Sequence, residues 1–82
     1  MITVLLFASI ADALGTRKLQ FGVRPGDTVG DVRDRLTAEY PKLKPFVENL
    51  MYAVDEEYAR PETPVPEGAT LALIPPVSGG RE

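Results

Sequence analysis

The chain has 82 residues and a net charge of −3, with nine basic and twelve acidic side chains, and it has neither cysteine nor histidine. That length allows one small core and no second. The missing residue types exclude disulfides, a zinc site built from the usual ligands, and catalysis by thiolate or imidazole. The basic residues are scattered and never interleave with aromatics, which argues against nucleic-acid binding.

The first strand is predicted over residues 2–8, a short apolar run with β-branched residues and an aromatic. Alternation places Ile2, Val4 and Leu6 on one face and Thr3, Leu5 and Phe7 on the other. The run has no basic segment before it, and Asp12 follows too soon for a signal peptide. No window approaches the roughly 20 apolar residues of a membrane helix. The expectation is a soluble, cytoplasmic protein with no membrane partner.

A brief helical turn is predicted over Ser9–Leu14, with Ser9 as cap and Gly15 as a left-handed stop. Arg17–Arg24 reads as a second strand, antiparallel to the first, with Leu19, Phe21 and Val23 on one face. Pro25-Gly26 ends it. The one clear helix opens at Asp27-Thr28 and runs to Tyr40. Thr28 is its N-cap, Asp31 lies near the positive end of its dipole, and Val29, Val32, Leu36 and Tyr40 share its inner face. Gly30 weakens it slightly, and Pro41 stops it. Lys42–Asn49 is a connector with a short turn around Pro45-Phe46-Val47. Leu50–Val54 forms a third strand, Asp55-Glu56-Glu57 a solvated turn rather than a metal site, and Tyr58-Ala59 a very short fourth strand. Arg60–Gly68, with three prolines, is a loop. Ala69–Ile74 is the last strand, with Leu71 and Leu73 facing opposite to Ala72 and Ile74.

The order β, β, α, β, short β, β predicts an α+β roll, in which a mixed sheet of four or five strands packs on one main helix. With the last strand parallel to the first, the C-terminus leaves from the middle of the sheet. This is the ubiquitin-like β-grasp arrangement, adopted here partly by analogy. It divides the chain into a domain over 1–74 and an extended tail over 75–82. Pro75 and Pro76 stiffen the tail and donate no amide hydrogens. Gly79 and Gly80 lack a Cβ and fit a slot too narrow for any side chain. The tail therefore reads as a device, with no packing of its own, that delivers a C-terminal carboxyl group into another protein.

Two stretches carry a family resemblance: Val4-Leu5-Leu6-Phe7-Ala8 with Leu14-Gly15, and Leu73-Ile74-Pro75-Pro76-Val77-Ser78-Gly79-Gly80. They resemble the small, sulfur-carrying subunit of molybdopterin synthase (MoaD, of the MoaD/ThiS family). Asp27-Thr28-Val29 and Ala53-Val54-Asp55-Glu56-Glu57-Tyr58 are similar to that family's helix start and hairpin turn.

The resemblance implies a non-catalytic carrier. An adenylating, E1-like enzyme would use ATP and magnesium to activate the Gly80 carboxylate, and a sulfur donor would convert it to a thiocarboxylate. The segment Pro75, Pro76, Val77, Ser78 and Gly79 would then enter the large catalytic subunit, in a heterotetramer. There the sulfur would pass to a pterin precursor, building the dithiolene that holds molybdenum or tungsten. The carrier itself would bind no cofactor and no metal. Phe7, Leu5 and Ile74 would form an apolar docking patch near the tail exit. Family members often carry a basic residue after the first strand, where this chain has Ala11-Asp12-Ala13.

Arg81 and Glu82 lie beyond the glycines and cover the Gly80 carboxyl. Trimming by a processing protease is the favoured account; release from a longer fused polypeptide, or residues foreign to the native chain, are the others. Two further readings stay open: a carrier for another pathway such as thiamine thiazole, and a ubiquitin-like modifier joined to lysines through Gly80. A plain interaction module with a frayed end is the third. Lys18, Lys42 and Lys44 carry no mark as acceptors.

Overall fold

The computed structural model describes residues 1–76. Its chain order is β1 (Ile2–Leu6), α1 (Ala8–Leu14), β2 (Lys18–Phe21), α2 (Val29–Glu39), a 3-10 helix (Pro41–Asn49), β3 (Met51–Val54), β4 (Glu57–Ala59) and β5 (Thr70–Ile74). The strands form one five-stranded sheet in the order β2-β1-β5-β3-β4. β1 and β5 run parallel, and the other pairs are antiparallel. This is the expected β-grasp, with the last strand at the centre.

One face of the sheet is covered. Ile2, Val4 and Leu6 of β1, Leu71 and Leu73 of β5 and Tyr52 of β3 are buried with Val29, Val32 and Leu36 of α2, Ile10 of α1 and Leu43 of the 3-10 helix. Each such aliphatic side chain contributes about 1.5–3 kcal/mol by leaving water. α2 starts where expected, with a full capping box. Thr28 Oγ1 accepts from the Asp31 N–H at 3.2 Å, and Asp31 Oδ2 accepts from the Thr28 N–H at 3.0 Å, which satisfies two donors that the helix leaves free.

Several boundaries shift from expectation. β1 ends at Leu6; Phe7 is the N-cap of α1 and makes no side-chain cap bond, so Ser9 lies inside the helix instead of capping it. The chain turns sharply there, with Ala8 at φ 52. Gly15 does close α1 in the left-handed region, at φ 76, donating to the Ala11 carbonyl. β2 is cut short at Phe21 because Asp27 draws the chain into a turn: its N–H donates to the Arg24 carbonyl at 3.0 Å and its Oδ2 accepts from the Arg24 N–H at 2.7 Å. Beyond Pro41 the chain forms a continuous 3-10 helix through Pro45 instead of a loose connector. β4 begins at Glu57, which leaves Asp55 and Glu56 as the turn.

Gly30 has a packing reason to be in α2. Its N–H donates to the Pro61 carbonyl at 2.8 Å, and a Cβ there would stand 3.2 Å from that oxygen. The long loop before β5 thus docks directly on the helix. The outer edge of β2 is blunted: Thr16 Oγ1 bonds both the N–H and the carbonyl of Lys18, and Arg35 Nη2 donates to the Gly22 carbonyl. Such groups discourage pairing with a foreign strand.

Candidate functional site

The uncovered face of the sheet changes character along the strands. Side chains of cross-strand partners point to the same side. At the start of β1 and β5 the row is polar, with Gln20, Thr3 and Thr70 in register and Gln20 Nε2 donating to Thr3 Oγ1 at 3.1 Å. The next row crosses all five strands as Lys18, Leu5, Ala72, Ala53 and Tyr58. Its two central alanines make a shallow trough between Leu5 and Tyr58. Beyond it Ile74 pairs with Met51, and Phe7 follows the last registered pair, Leu6 with Leu73. Apolar character therefore rises toward the end from which the C-terminal segment leaves.

Of the three docking residues expected from the sequence, Phe7 is 44% exposed, and Leu5 and Ile74 are half-buried. All three belong to the uncovered face. Sequence parity missed its other half: Met51, 42% exposed, and Tyr58, 81% exposed. The signal was present in the hairpin. A two-residue turn at Asp55-Glu56 sets Tyr58 opposite Ala53, and alternation from Ala53 brings Met51 to the same side. Apolar side chains this exposed and this contiguous suit a protein interface.

A groove of about 570 Å³ runs beside Phe7, lined by Leu5, Leu6, Ala8, Ala11, Asp12, Arg17 and Lys18. The basic residue that the turn after β1 lacks has a spatial counterpart here: Arg17 and Lys18 bring two cations from β2 and the turn before it. On the opposite flank Asp55 and Glu56, in the turn between β3 and β4, are exposed acids. The face thus has an apolar centre, a basic side and an acidic side. Among the described residues no three His, Cys, Asp or Glu side chains come together to hold a metal ion.

Pro75 is buried and Pro76 exposed. The expectation that the tail packs against nothing therefore does not hold for Pro75, whose ring extends the packing one residue past β5. The remaining expected site residues, Val77, Ser78, Gly79 and Gly80, with Arg81 and Glu82, lie outside the described residues. What the described part supplies is their base, a central strand whose end lies beside Phe7 and Met51.

Comparison with known proteins places these observations in context. The ThiS family profile matches residues 4–80. The chain is 31% identical over 81 residues to the molybdopterin synthase sulfur carrier subunit of Chlamydomonas reinhardtii, covering 96% of this chain and 98% of that one. It is 34% identical over 79 residues to the corresponding subunit of Arabidopsis thaliana, covering 96% and 82%. Among solved structures, the crystal structure of the small archaeal modifier SAMP1 from Haloferax volcanii superposes with a TM-score of 0.86 at 32% identity, covering 96% of this chain and 98% of that one.

Proposed function

Because the chain belongs to the ThiS family, we propose that it is a sulfur carrier for molybdopterin synthesis whose active group is the carboxyl carbon of Gly80. The observation that carries this reading is the parallel pairing of β1 with β5. It makes the last strand central and directs the chain outward beside an apolar face, so one partner can grip the domain and receive its end together.

The chemistry follows from what the chain lacks. A carboxylate resists nucleophilic attack until an oxygen becomes a good leaving group. Attack of the Gly80 carboxylate on the α-phosphorus of ATP, with pyrophosphate leaving, gives a mixed anhydride. A sulfur nucleophile then displaces AMP from the carbonyl carbon and leaves a thiocarboxylate. That sulfur needs no side chain from its carrier, which accords with a sequence free of cysteine and histidine. ATP and magnesium belong to the adenylating partner. The acid, the base and the pterin pocket belong to the large synthase subunit, so this chain is a subunit and not itself the catalyst. Phe7, Leu5 and Ile74, joined by Met51 and Tyr58, form the docking face, and Pro75 through Gly79 form the inserted segment.

The Gly80–Arg81 peptide bond has to be opened before Gly80 has a carboxylate to activate, and removal of Arg81 and Glu82 by a protease is part of the proposal. The direct experiment mixes the chain ended at Gly80 with an adenylating enzyme, ATP, magnesium and sulfide, and reads the product by mass. One sulfur-for-oxygen exchange on the C-terminal peptide is expected. An unaltered terminus in the presence of enzyme that still releases pyrophosphate would reject the reading. A second reading is favoured by the Haloferax likeness: a modifier joined through Gly80 to lysine amines. Its sign would be conjugates of higher mass in cells expressing the tagged chain, absent when Gly80 is deleted.

A further inference from the structure

A second pocket, of about 300 Å³, opens at the β3–β4 edge on the helix side of the sheet. Tyr52 forms part of its lining and is 5% exposed. The Tyr52 hydroxyl oxygen accepts from Arg33 Nη1 at 3.3 Å. Its own proton meets no acceptor among the described residues, although a buried tyrosine hydroxyl usually has one. Arg33 spends Nε on Asp34 Oδ1 at 3.0 Å and Nη1 on Tyr52, and Nη2 has no acceptor among the described residues. The Tyr52 hydroxyl, and after it Asp34, hold this guanidinium charged more firmly than an ordinary arginine, against the opposing effect of burial. Arg60 stands at the rim, with its side chain 82% exposed and only a 4.0 Å approach to Glu62. Leu50, Val47 and Met51 supply apolar walls.

We propose that this pocket receives the carboxylate of an acidic side chain, a glutamate for preference, presented by the protein that docks on the uncovered sheet face. Two donors of its lining residues, the Tyr52 O–H and Arg33 Nη2, match in number the two oxygens of a carboxylate, and the apolar walls take its methylene stem. A dianion such as phosphate fits less well. Glu48 lines the same pocket, and with Asp34 and Glu62 beside the two arginines the acids outnumber them, so recognition rests on the two directed hydrogen bonds and every added negative charge on the ligand weakens it. The place is right for a docking partner. Met51 lines the pocket and is also the register partner of Ile74, the residue before Pro75, and Tyr58 is shared by the pocket and the open face. Gly30 lets Pro61, another lining residue, sit against α2.

This inference rests on the open face being a docking surface, but not on sulfur chemistry. The test is therefore a binding measurement on the intact chain. The peptide acetyl-Leu-Glu-Leu-amide, its glutamine counterpart and inorganic phosphate are titrated separately, while NMR follows the Arg33 Nε–H and the Tyr52 ring. The glutamate peptide is expected to give saturable shifts at both residues. Binding weaker by about fivefold or more is expected for the glutamine peptide and for Tyr52→Phe, which keeps the buried ring and loses one hydrogen bond. Arg33→Gln is expected to weaken it as well. Equal affinity for the two peptides, saturation with phosphate alone, unchanged affinity in Tyr52→Phe, or no saturable shift would each overturn the proposal. None of these outcomes bears on whether Gly80 accepts sulfur.

Discussion

Asp55 and Thr70 hold each other twice. The Asp55 N–H donates to the Thr70 carbonyl at 2.9 Å, and the Thr70 N–H donates to Asp55 Oδ1 at 2.9 Å. This clamp ties the β3–β4 turn to the start of the central strand. It also holds Asp55 and Glu56 at φ 50 and 73, the paired left-handed conformation that a two-residue hairpin needs and that aspartate tolerates better than glutamate.

Replacing Asp55 by Ala leaves the Thr70 amide without its acceptor, and a loss of about 1–3 kcal/mol of unfolding free energy is expected. Glu56→Gly acts in the opposite direction. It relieves the left-handed strain and is expected to stabilise by about 1 kcal/mol. Urea unfolding curves of the two variants check both signs.

The docking face makes a separate prediction. Tyr58→Ser removes apolar surface that is 81% exposed, so its unfolding free energy is expected to stay within about 0.5 kcal/mol of the parent, while Phe7→Ser also puts a capping hydroxyl at the start of α1, which offsets its lost burial by about 1 kcal/mol. On the proposed function, affinity for the large synthase subunit, measured by calorimetry, is expected to fall roughly tenfold or more in each. Reversing Arg17 and Lys18 to Glu changes the charged flank instead, and its expected signature is a slower association rate whose difference from the parent fades as salt is raised.

Gly30→Ala sets two effects against each other. Helix propensity favours alanine by about 1 kcal/mol, but the new methyl meets a backbone oxygen that Gly30 itself holds. The variant is expected to be no more stable than the parent, and its spectrum should shift at Arg60 and Pro61. Thr28→Ala, by contrast, removes one half of the capping box and is expected to cost about 1 kcal/mol.

Acid should act through Asp27. Its carboxyl is held below the usual range first by the Arg24 amide and then by Arg35, whose Nη2 lies 2.7 Å away. A group with a lowered folded value favours the native state above its unfolded value, about 4. That contribution disappears as pH falls through the folded value. Thermal midpoints measured from pH 6 down to pH 3 are expected to drop on the acid side, with a shallower drop in Asp27→Asn.

The sequence made the core largely readable. Ile2, Val4, Leu6, Val29, Val32 and Leu36 follow the periods of strand and helix, and Thr28 with Asp31 announces a helix start in residue types alone. What it hid depends on contacts that leave no repeating pattern. The end of β2 is set by Asp27 reaching back to Arg24, and the span of the 3-10 helix by packing of Leu43 into the core; neither has a local period. The docking face was half legible for the same reason. Phe7, Leu5 and Ile74 follow from alternation in the two parallel strands, whereas Met51 and Tyr58 join them only through the register of β3 with β5 and β4. The two arginines that line the edge pocket come from α2 and the loop before β5, and Gly30, which looks like a weak point in a helix, is what lets that loop approach α2 at Pro61.

The middle strand of this sheet is also the last to be synthesised. β1 gains one of its two neighbours only when Thr70–Ile74 arrives, and the β3–β4 hairpin joins the other strands only through that segment. Without that segment the β1–β2 and β3–β4 hairpins share no registered pair, and the core lacks Leu71 and Leu73. On the proposed function, the fold is therefore complete only once translation has reached the base of the segment to be presented.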